Sequence, residues 1–262
     1  MARFEDYSVE EWNEIARRMA AERLPHVNEN VAEVVPANNI YLRYGKRVLD
    51  IAIATTAIAI TLPLNIVFAI CTYIDIGNPI LFKQTRIGKD GKKFKLVKFR
   101  NMTNETDVNG NLLPASQRIT KFGSFMRRTS MDELLNFLSI LKGDMSVIGP
   151  RPLVPEYVER YNKRHSYRMA VRPGLECPPR KLNEYWSWQE QLENDIWYVE
   201  NVSFFTDIYM IWRLFLYAFD KKASKARSEG DERGSFMGYS EDGNAITETE
   251  VPEEIIERAL RG

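Results

Sequence analysis

Residues 51–74 read IAIATTAIAITLPLNIVFAICTYI, a run of 24 residues without a charged side chain. A helix needs about 20 apolar residues to cross the hydrocarbon core of a bilayer, so this run is long enough to enter a membrane. Pro63 lies near its centre, and proline removes one backbone hydrogen bond and clashes with the preceding helical turn. The sequence therefore predicts a membrane helix that is kinked at Pro63.

Basic residues flank the apolar run on both sides. They are Arg43, Lys46 and Arg47 before it and Lys83, Arg86, Lys89, Lys92 and Lys93 after it. Because positive residues favour the cytoplasmic side of a membrane, both ends of the run are expected there. A re-entrant helix, which enters and leaves through one leaflet, places both ends on that side. An ordinary spanning helix and a buried core helix are the alternatives that this segment leaves open.

Charge is unevenly distributed along the chain. Lysine plus arginine and aspartate plus glutamate number 36 each, but residues 229–262 hold ten acidic residues against three arginines. The remainder is therefore moderately basic, which suits an anionic partner such as lipid headgroups or a phosphorylated substrate. The excess is too small to indicate nucleic acid, and no zinc-finger, RRM or KH pattern is present. Two cysteines and two histidines exclude a disulfide framework or a histidine-rich metal site and favour a reducing compartment.

Both ends of the chain carry helix signals. Ser8 and Glu11 have the spacing of a capping box. The apolar face that follows consists of Trp12, Ile15, Ala16 and Met19. We expect this face to pack on the body of the protein or on a partner subunit, with membrane contact as the alternative. The tail from Ser228 is expected to be largely flexible, with a short helix at residues 252–260.

The middle of the chain combines extended and helical patterns. Residues 79–84 and 94–100 read as short extended pieces around a turn at residues 88–91. Residues 204–219 are aromatic and aliphatic, with Asp207 and Arg213 as their only charges. This segment is short and charged for a span but suits a helix lying in the headgroup plane, with core packing as the alternative.

The candidate catalytic residues are two adjacent carboxylates, Asp132 and Glu133, in the stretch TSMDEL (129–134). The spacing of Ser130 and Glu133 is that of a capping box, so both acids have a purely structural interpretation at the start of a helix. The functional interpretation is a magnesium and phosphate site at a helix N-terminus, in which one carboxylate becomes a covalent nucleophile. Arg127 and Arg128 precede the pair, and Arg151 follows it between two prolines. A rigidly held arginine is suited to bidentate contact with phosphate.

An ordered series of motifs is strongly similar to the monotopic phosphoglycosyl transferases, or bacterial sugar transferases. The similarity covers residues 46–222. The motifs are KRVLD (46–50), FKQTRIG (82–88), KFR (98–100), RRTSMDEL (127–134), LKGDMS (141–146), GPRPL (149–153) and VRPG (171–174). Each motif alone is weak, but the series in this order is specific.

The resemblance implies a reaction. In this family the aspartate that matches Asp132 attacks the β-phosphate of a UDP-sugar, releases UMP and retains the phosphosugar. Polyprenyl phosphate, usually undecaprenyl phosphate, then accepts the phosphosugar. Glu133 is expected to assist together with Mg²⁺, so that Asp132 and Glu133 are the predicted metal ligands. Arg127 and Arg151 match phosphate-binding arginines, and we also expect Lys98, Arg100 and Arg172 to bind the substrate.

The resemblance also implies a fold class and a location. It predicts an α/β protein, namely a small, mostly helical, membrane-associated domain with a re-entrant helix and interfacial amphipathic helices. The catalytic part is expected on the cytoplasmic face of the bacterial inner membrane, against lipids of that leaflet. We divide the chain into an N-terminal extension (1–45), the re-entrant helix (46–75), a catalytic domain (76–223) and an acidic tail (224–262). A homodimer is compatible with the sequence.

Two departures from the family pattern are visible. Leu62 precedes the kinking proline where relatives usually carry a serine, whose hydroxyl can bond the backbone freed by the kink. Residues 175–181 read LECPPRK, where many relatives continue with a Thr-Gly-Trp-Ala-Gln-Val-like stretch. We expect this second departure to affect selection of the donor. A catalytically silent membrane scaffold and a phosphatase that uses the same carboxylate are the competing functions.

Overall fold

The computed structural model describes residues 7–108, 110, 112–179, 187–218 and 234–261. Its longest element, helix α2 (Lys46–Ile76), contains the apolar run and Pro63, and a π-helical turn (Tyr41–Gly45) precedes it. Within the described residues, one continuous helical stretch, Tyr41–Ile76, is long and apolar enough to cross a membrane, with a mean hydropathy of 2.1 in its most apolar window. A long apolar helix is therefore confirmed, whereas its re-entrant path stays a prediction.

The two ends of α2 pack on the same globular body. Near its N-terminal end, the carboxylate of Asp50 accepts hydrogen bonds from Ser146 Oγ (2.8 Å) and from the Val147 amide (2.9 Å). Near its C-terminal end, Phe68 is buried in a second apolar cluster with Phe99 and Met126. Between these two regions, large apolar side chains such as Ile60, Leu62 and Ile66 are more than half exposed.

The body combines a hairpin, a small parallel pair of strands and short helices. Strands β1 (Leu81–Ile87) and β2 (Lys93–Phe99) pair antiparallel around the predicted turn. Helices α3 (Ala115–Arg118), α4 (Lys121–Thr129) and α5 (Asn136–Lys142) follow. Strand β3 (Ser146–Ile148) pairs parallel with β4 (Gly174–Glu176), and α6 (Lys163–Ser166) lies between them in the chain. A mostly helical α/β domain with small sheets is confirmed.

Two helices complete the core behind β3. Helix α7 (Trp188–Asn201) begins with a capping box and buries Tyr198 and Val199 against β3. Helix α8 (Phe204–Ala218) places Asp207 and Met210 in the interior, whereas Phe205, Trp212 and Phe215 are largely exposed. Core packing of one face is therefore confirmed, and contact of the exposed aromatic face with the headgroup plane stays a prediction.

The chain termini form a common lobe. Helix α1 (Val9–Val27) begins with the predicted capping box. The tail contributes the hairpin β5 (Gly238–Tyr239) and β6 (Ala245–Ile246) and helix α9 (Glu253–Arg261). Trp12, Ile15 and Met19 of α1 pack against Ile255 and Ile256 of α9. Packing of α1 on the body and the short C-terminal helix are therefore confirmed.

The expectation of a largely flexible tail is wrong for residues 234–261. The reason is that α9 and the hairpin bury apolar side chains, although the overall composition of the tail is acidic. The buried side chains, all at most 5% exposed, are Phe236, Met237, Ile246, Ile255 and Ile256. Their partner, α1, lies more than 200 residues earlier in the chain, so composition within the tail does not reveal it.

A buried lysine joins α2 to the core and gives the first prediction. Lys46 Nζ lies 2.7 Å from Asp207 Oδ2, and both side chains are at most 6% exposed. Because Lys46→Met leaves the Asp207 carboxylate buried without its cation, we expect the free energy of unfolding to fall by about 3–5 kcal/mol. Chemical denaturation in detergent measures this loss. Arg43→Met, at an exposed cation one turn earlier, should change it by less than about 0.5 kcal/mol, and equal stability of Lys46→Met and wild type would contradict the prediction.

Candidate active site

The two candidate carboxylates lie on a short 3-10 turn, Met131–Glu133, between α4 and α5. Ser130 ends α4 in the left-handed conformation (φ 56°, ψ 23°) and makes no side-chain cap. The predicted capping box is therefore wrong, because the left-handed Ser130 turns the chain sharply before an α-helix can start. The structural interpretation of Glu133 fails with it, since its carboxylate is directed instead to Arg151.

Asp132 is nearly enclosed by protein. It is 4% exposed, and its Oδ2 accepts a hydrogen bond of 2.8 Å from Asn101 Nδ2. Burial raises the pKa of Asp132 to about 6, although Lys98 acts in the opposite direction by favouring the charged form. Neutral or slightly alkaline pH therefore leaves this carboxylate ionised but poorly solvated, a state suited to nucleophilic attack.

Asn101 is a site residue that the sequence did not suggest. It directly follows the KFR motif, but β2 ends at Phe99, so strand alternation does not place it. Helix α4 packs closely against the backbone of Asn101: a Cβ added to Gly123 would lie 2.0 Å from the Asn101 carbonyl oxygen. The close approach of α4 thus requires glycine at position 123.

Glu133 forms an ion pair with Arg151. Arg151 Nη2 lies 2.8 Å from Glu133 Oε1, and Arg151 Nη1 lies 3.2 Å from Glu176 Oε2. Burial alone would raise the pKa of Glu133, but the charges of Arg151 and Lys98 outweigh it and hold the pKa below its usual value. Glu133 is therefore anionic next to the buried Asp132.

A hydrogen bond from Arg168 also holds the backbone of Arg151. Arg168 Nη2 donates a hydrogen bond of 2.8 Å to the Arg151 carbonyl. Arg168 is itself fixed by a buried ion pair with Asp195 (2.7 Å). Together with Pro150 and Pro152, these contacts give Arg151 the rigid backbone that its flanking prolines predicted.

The hairpin β1–β2 supplies two further cations. Lys98 is close enough to Glu133 and Asp132 for both to favour its charged form, while burial lowers its pKa. Arg86 was not among the predicted site residues, yet burial and the neighbouring Arg151 lower its pKa, and Glu133 favours its charge. Its buried Nε has no hydrogen-bond partner among the described residues. The register pairs Phe94 with Arg86 and Phe82 with Lys98, so strand alternation from Lys98 would have placed both cations on one face.

The other predicted arginines are placed differently. Arg127, in the last turn of α4, favours the charged form of Asp132. Arg100 donates from Nη2 to the carbonyls of Ile76 and Gly77, at the C-terminal end of α2. Arg172 donates from Nε to the Gly143 carbonyl at 2.9 Å. The structure therefore brings Lys98, Arg127 and Arg151 to the carboxylates, whereas Arg100 and Arg172 bind the main chain. Of residues 175–181, Arg180 and Lys181 lie outside the described residues.

The described residues contain no group of three or more His, Cys, Asp or Glu side chains placed to hold a metal ion. Mg²⁺ in phosphate-handling sites nevertheless needs only one or two carboxylates, because substrate phosphates and water complete its coordination. Asp132 and Glu133 are adjacent carboxylates of this kind. The donor set present thus fits Mg²⁺ when a phosphorylated substrate is bound.

Comparison with known proteins assigns the family. The sequence profile described as "Bacterial sugar transferase" matches residues 41–221. The sugar transferase EpsL of Bacillus subtilis (strain 168), named as uncharacterized, is 41% identical over 165 residues, covering 62% of this chain and 81% of that protein. The UDP-glucose:undecaprenyl-phosphate glucose-1-phosphate transferase of Escherichia coli (strain K12) is 32% identical over 193 residues, covering 70% of this chain.

A third relative is also named as a transferase that acts on undecaprenyl phosphate. The UDP-N-acetylgalactosamine-undecaprenyl-phosphate N-acetylgalactosaminephosphotransferase of Aeromonas hydrophila is 30% identical over 200 residues, covering 73% of this chain. The chain spans less than half the length of this relative and of the Escherichia coli one, 47% and 42% respectively. The chain belongs to the bacterial sugar transferase family, which confirms the resemblance carried by its motifs. The lobe formed by α1 and the tail lies outside the matched residues.

The raised pKa of Asp132 predicts a pH-dependent cost to stability. Because the folded state holds this pKa near 6, above the usual aspartate value of 3.8, ionised Asp132 destabilises the fold above pH 6, and the cost vanishes below about pH 4. Asp132→Asn removes the charge, so we expect it to stabilise the protein by on the order of 2 kcal/mol at pH 8. Chemical denaturation at pH 8 and at pH 4, in buffer that contains EDTA to remove divalent cations, measures the free energy of unfolding of both proteins. The exposed Asp242→Asn should show no such difference, and an Asp132→Asn variant less stable than wild type at pH 8 would refute the prediction.

Proposed function

We propose that this protein transfers a sugar-1-phosphate from a UDP-sugar to a polyprenyl phosphate. The observation that carries the proposal is Asp132, a buried carboxylate with a raised pKa, set beside the Glu133–Arg151 ion pair and the Lys98 ammonium. Perturbed carboxylates next to convergent cations are typical of phosphoryl-transfer sites. The names of the relatives from Escherichia coli and Aeromonas hydrophila support the donor and acceptor classes.

The reaction proceeds in two balanced displacements. In the first, an Asp132 oxygen bonds to the β-phosphorus of the donor, the bond from that phosphorus to the bridging oxygen breaks, and UMP leaves with the electron pair. In the second, an oxygen of the polyprenyl phosphate attacks the same phosphorus. The acyl phosphate bond breaks, Asp132 is regenerated, and a polyprenyl diphosphate sugar is released. Covalent catalysis divides one difficult transfer into two easier ones.

Several residues of the chain prepare Asp132 for this role. Asn101 fixes one carboxylate oxygen by its hydrogen bond and thereby orients the other. Lys98, Arg127, Arg151 and Arg86 offset the charge of the donor diphosphate, which would otherwise repel the nucleophile. Mg²⁺, held by Asp132 and Glu133 together with the diphosphate, would supply further charge neutralisation when bound.

The packing of α2 supports a re-entrant path. Its N-terminal part is tied to β3 through Asp50, and Phe68 and Thr72 are buried near its C-terminal end. A helix that spans a bilayer cannot rest both ends on one body at one surface, whereas a helix that dips into one leaflet can. The exposed apolar side chains between these anchors then contact lipid. The basic flanks of α2 support a cytoplasmic position for this body on the inner membrane.

Replacing the carboxylate of Asp132 by an amide tests whether this residue is the nucleophile. Asp132→Asn preserves the shape of the side chain but removes the attacking anion, so UMP release should fall by several orders of magnitude, about 4 kcal/mol or more in activation free energy. Mass spectrometry of wild type incubated with a UDP-sugar, but without lipid acceptor, should locate an added phosphosugar on Asp132. Asp144→Asn, another carboxylate of the same body, serves as a control. An adduct on another residue would overturn the mechanism.

The topology is tested by labelling. In a variant whose native Cys71 and Cys177 are replaced, single cysteines introduced at Ala37 and Asn78 flank α2. We expect neither to react with a membrane-impermeant maleimide from the periplasmic side, and both to react after the cells are opened. Periplasmic labelling at one of the two positions would establish a spanning helix instead. Pro63→Ala should increase such labelling, because a straight helix is long enough to span.

A further inference from the structure

Arg151 is shared between two carboxylates that come from different parts of the chain. One is Glu133 of the candidate catalytic turn, and the other is Glu176, the last residue of β4. Glu176 lies in the stretch where the sequence departs from the family pattern. Neither the proposed reaction nor the family resemblance gives Glu176 a role.

The position of Glu176 is built into the fold. Its backbone pairs with Ile148 of β3, and its carbonyl accepts a hydrogen bond from the Gly149 amide. Its Oε1 accepts a hydrogen bond of 3.2 Å from the Cys177 amide, which leaves Oε2 directed at Arg151. Strand pairing and the hydrogen bond from the Cys177 amide therefore hold the Glu176 carboxylate beside Arg151.

The two ion pairs of Arg151 differ in length. The contact with Glu133 is 2.8 Å, whereas the contact with Glu176 is 3.2 Å, and the Arg151 side chain is 43% exposed. Phosphate and carboxylate oxygens compete for the same guanidinium N–H groups, because both bind in the plane of the fork. A diphosphate that approaches Arg151 therefore displaces Glu176 more readily than Glu133.

We propose that Glu176 is a competing counter-ion that sets the affinity of the site for the donor diphosphate. Without the donor, Glu176 occupies the Nη1 edge of Arg151. When a nucleoside diphosphate sugar binds, a phosphate oxygen takes that edge and Glu176 is released. The residue thus tunes donor binding without contacting the reacting phosphorus. This inference rests on the proposed function for the identity of the donor, but the exchange itself involves only an anion and Arg151.

The test is calorimetric titration of the full-length protein in detergent with inorganic diphosphate. Glu176→Gln keeps the size of the side chain and an acceptor oxygen but removes the competing charge. Because exposed ion pairs are worth about 0.2–1 kcal/mol, the variant should bind diphosphate about 1.4- to 5-fold more tightly than wild type. The KM for a UDP-sugar should fall by a similar factor. Glu159→Gln, an exposed position with the same change in net charge, should have no effect.

An epistasis measurement separates competition from a general charge effect. In an Arg151→Ala background, Glu176→Gln should no longer change diphosphate affinity. Unchanged or weaker binding by Glu176→Gln, an equal gain in Glu159→Gln, or a gain that persists without Arg151 would each overturn the inference. UMP release by wild type across a panel of UDP-sugars tests the proposed function independently. If Glu176→Gln binds diphosphate more tightly but wild type releases no UMP, the exchange at Arg151 is supported and the assignment of a UDP-sugar as donor is refuted.

Discussion

The Lys46 ammonium is the contact on which the remaining architecture depends. It donates to the Ile148 carbonyl (3.0 Å), the Tyr198 hydroxyl (2.9 Å) and Asp207 Oδ2 (2.7 Å), which belong to β3, α7 and α8 respectively. A buried ammonium is tolerated only when its donors are satisfied, so these four elements have one arrangement relative to one another. The end of β3 leads directly into the segment that carries Arg151. The base of the apolar helix and the candidate phosphate-binding arginine are thus located by the same buried charge.

The site itself is an arrangement of charges that would repel or pair wrongly if they were free to move. Asp132 and Glu133 are adjacent anions, and Arg86, Lys98 and Arg151 are neighbouring, partly exposed cations. The rigid supports differ for each group: strand pairing for Lys98 and Arg86, α4 and Asn101 for Asp132, and Arg168 for Arg151. Such preorganisation lets the site stabilise developing charge without rearranging during the reaction.

The sequence predicted those features that depend on residues close together in the chain. The apolar run predicted α2, the Ser8–Glu11 spacing predicted the start of α1, and the ordered motifs identified the family together with Asp132, Glu133, Lys98 and Arg151 as residues that meet. It failed where the decisive contact is distant in the chain. The spacing of Ser130 and Glu133 is identical in a capping box and in a 3-10 turn, and only the ion pair with Arg151 distinguishes them. Arg100 and Arg172 donate to main-chain carbonyls, which no local pattern indicates, and their contact with substrate stays a prediction.

The pairing of α1 with the tail has a consequence for how the protein is made. Helix α1 leaves the ribosome before its partners Ile255 and Ile256, which lie more than 200 residues later in the chain. At about 5–20 residues per second, the apolar face of α1 waits roughly 10 to 40 seconds before it can be covered. During that interval Trp12, Ile15 and Met19 are available to chaperones or to the membrane surface that α2 is entering. A product truncated before Ile255 and Ile256 would therefore expose a hydrophobic helix that quality control can recognise.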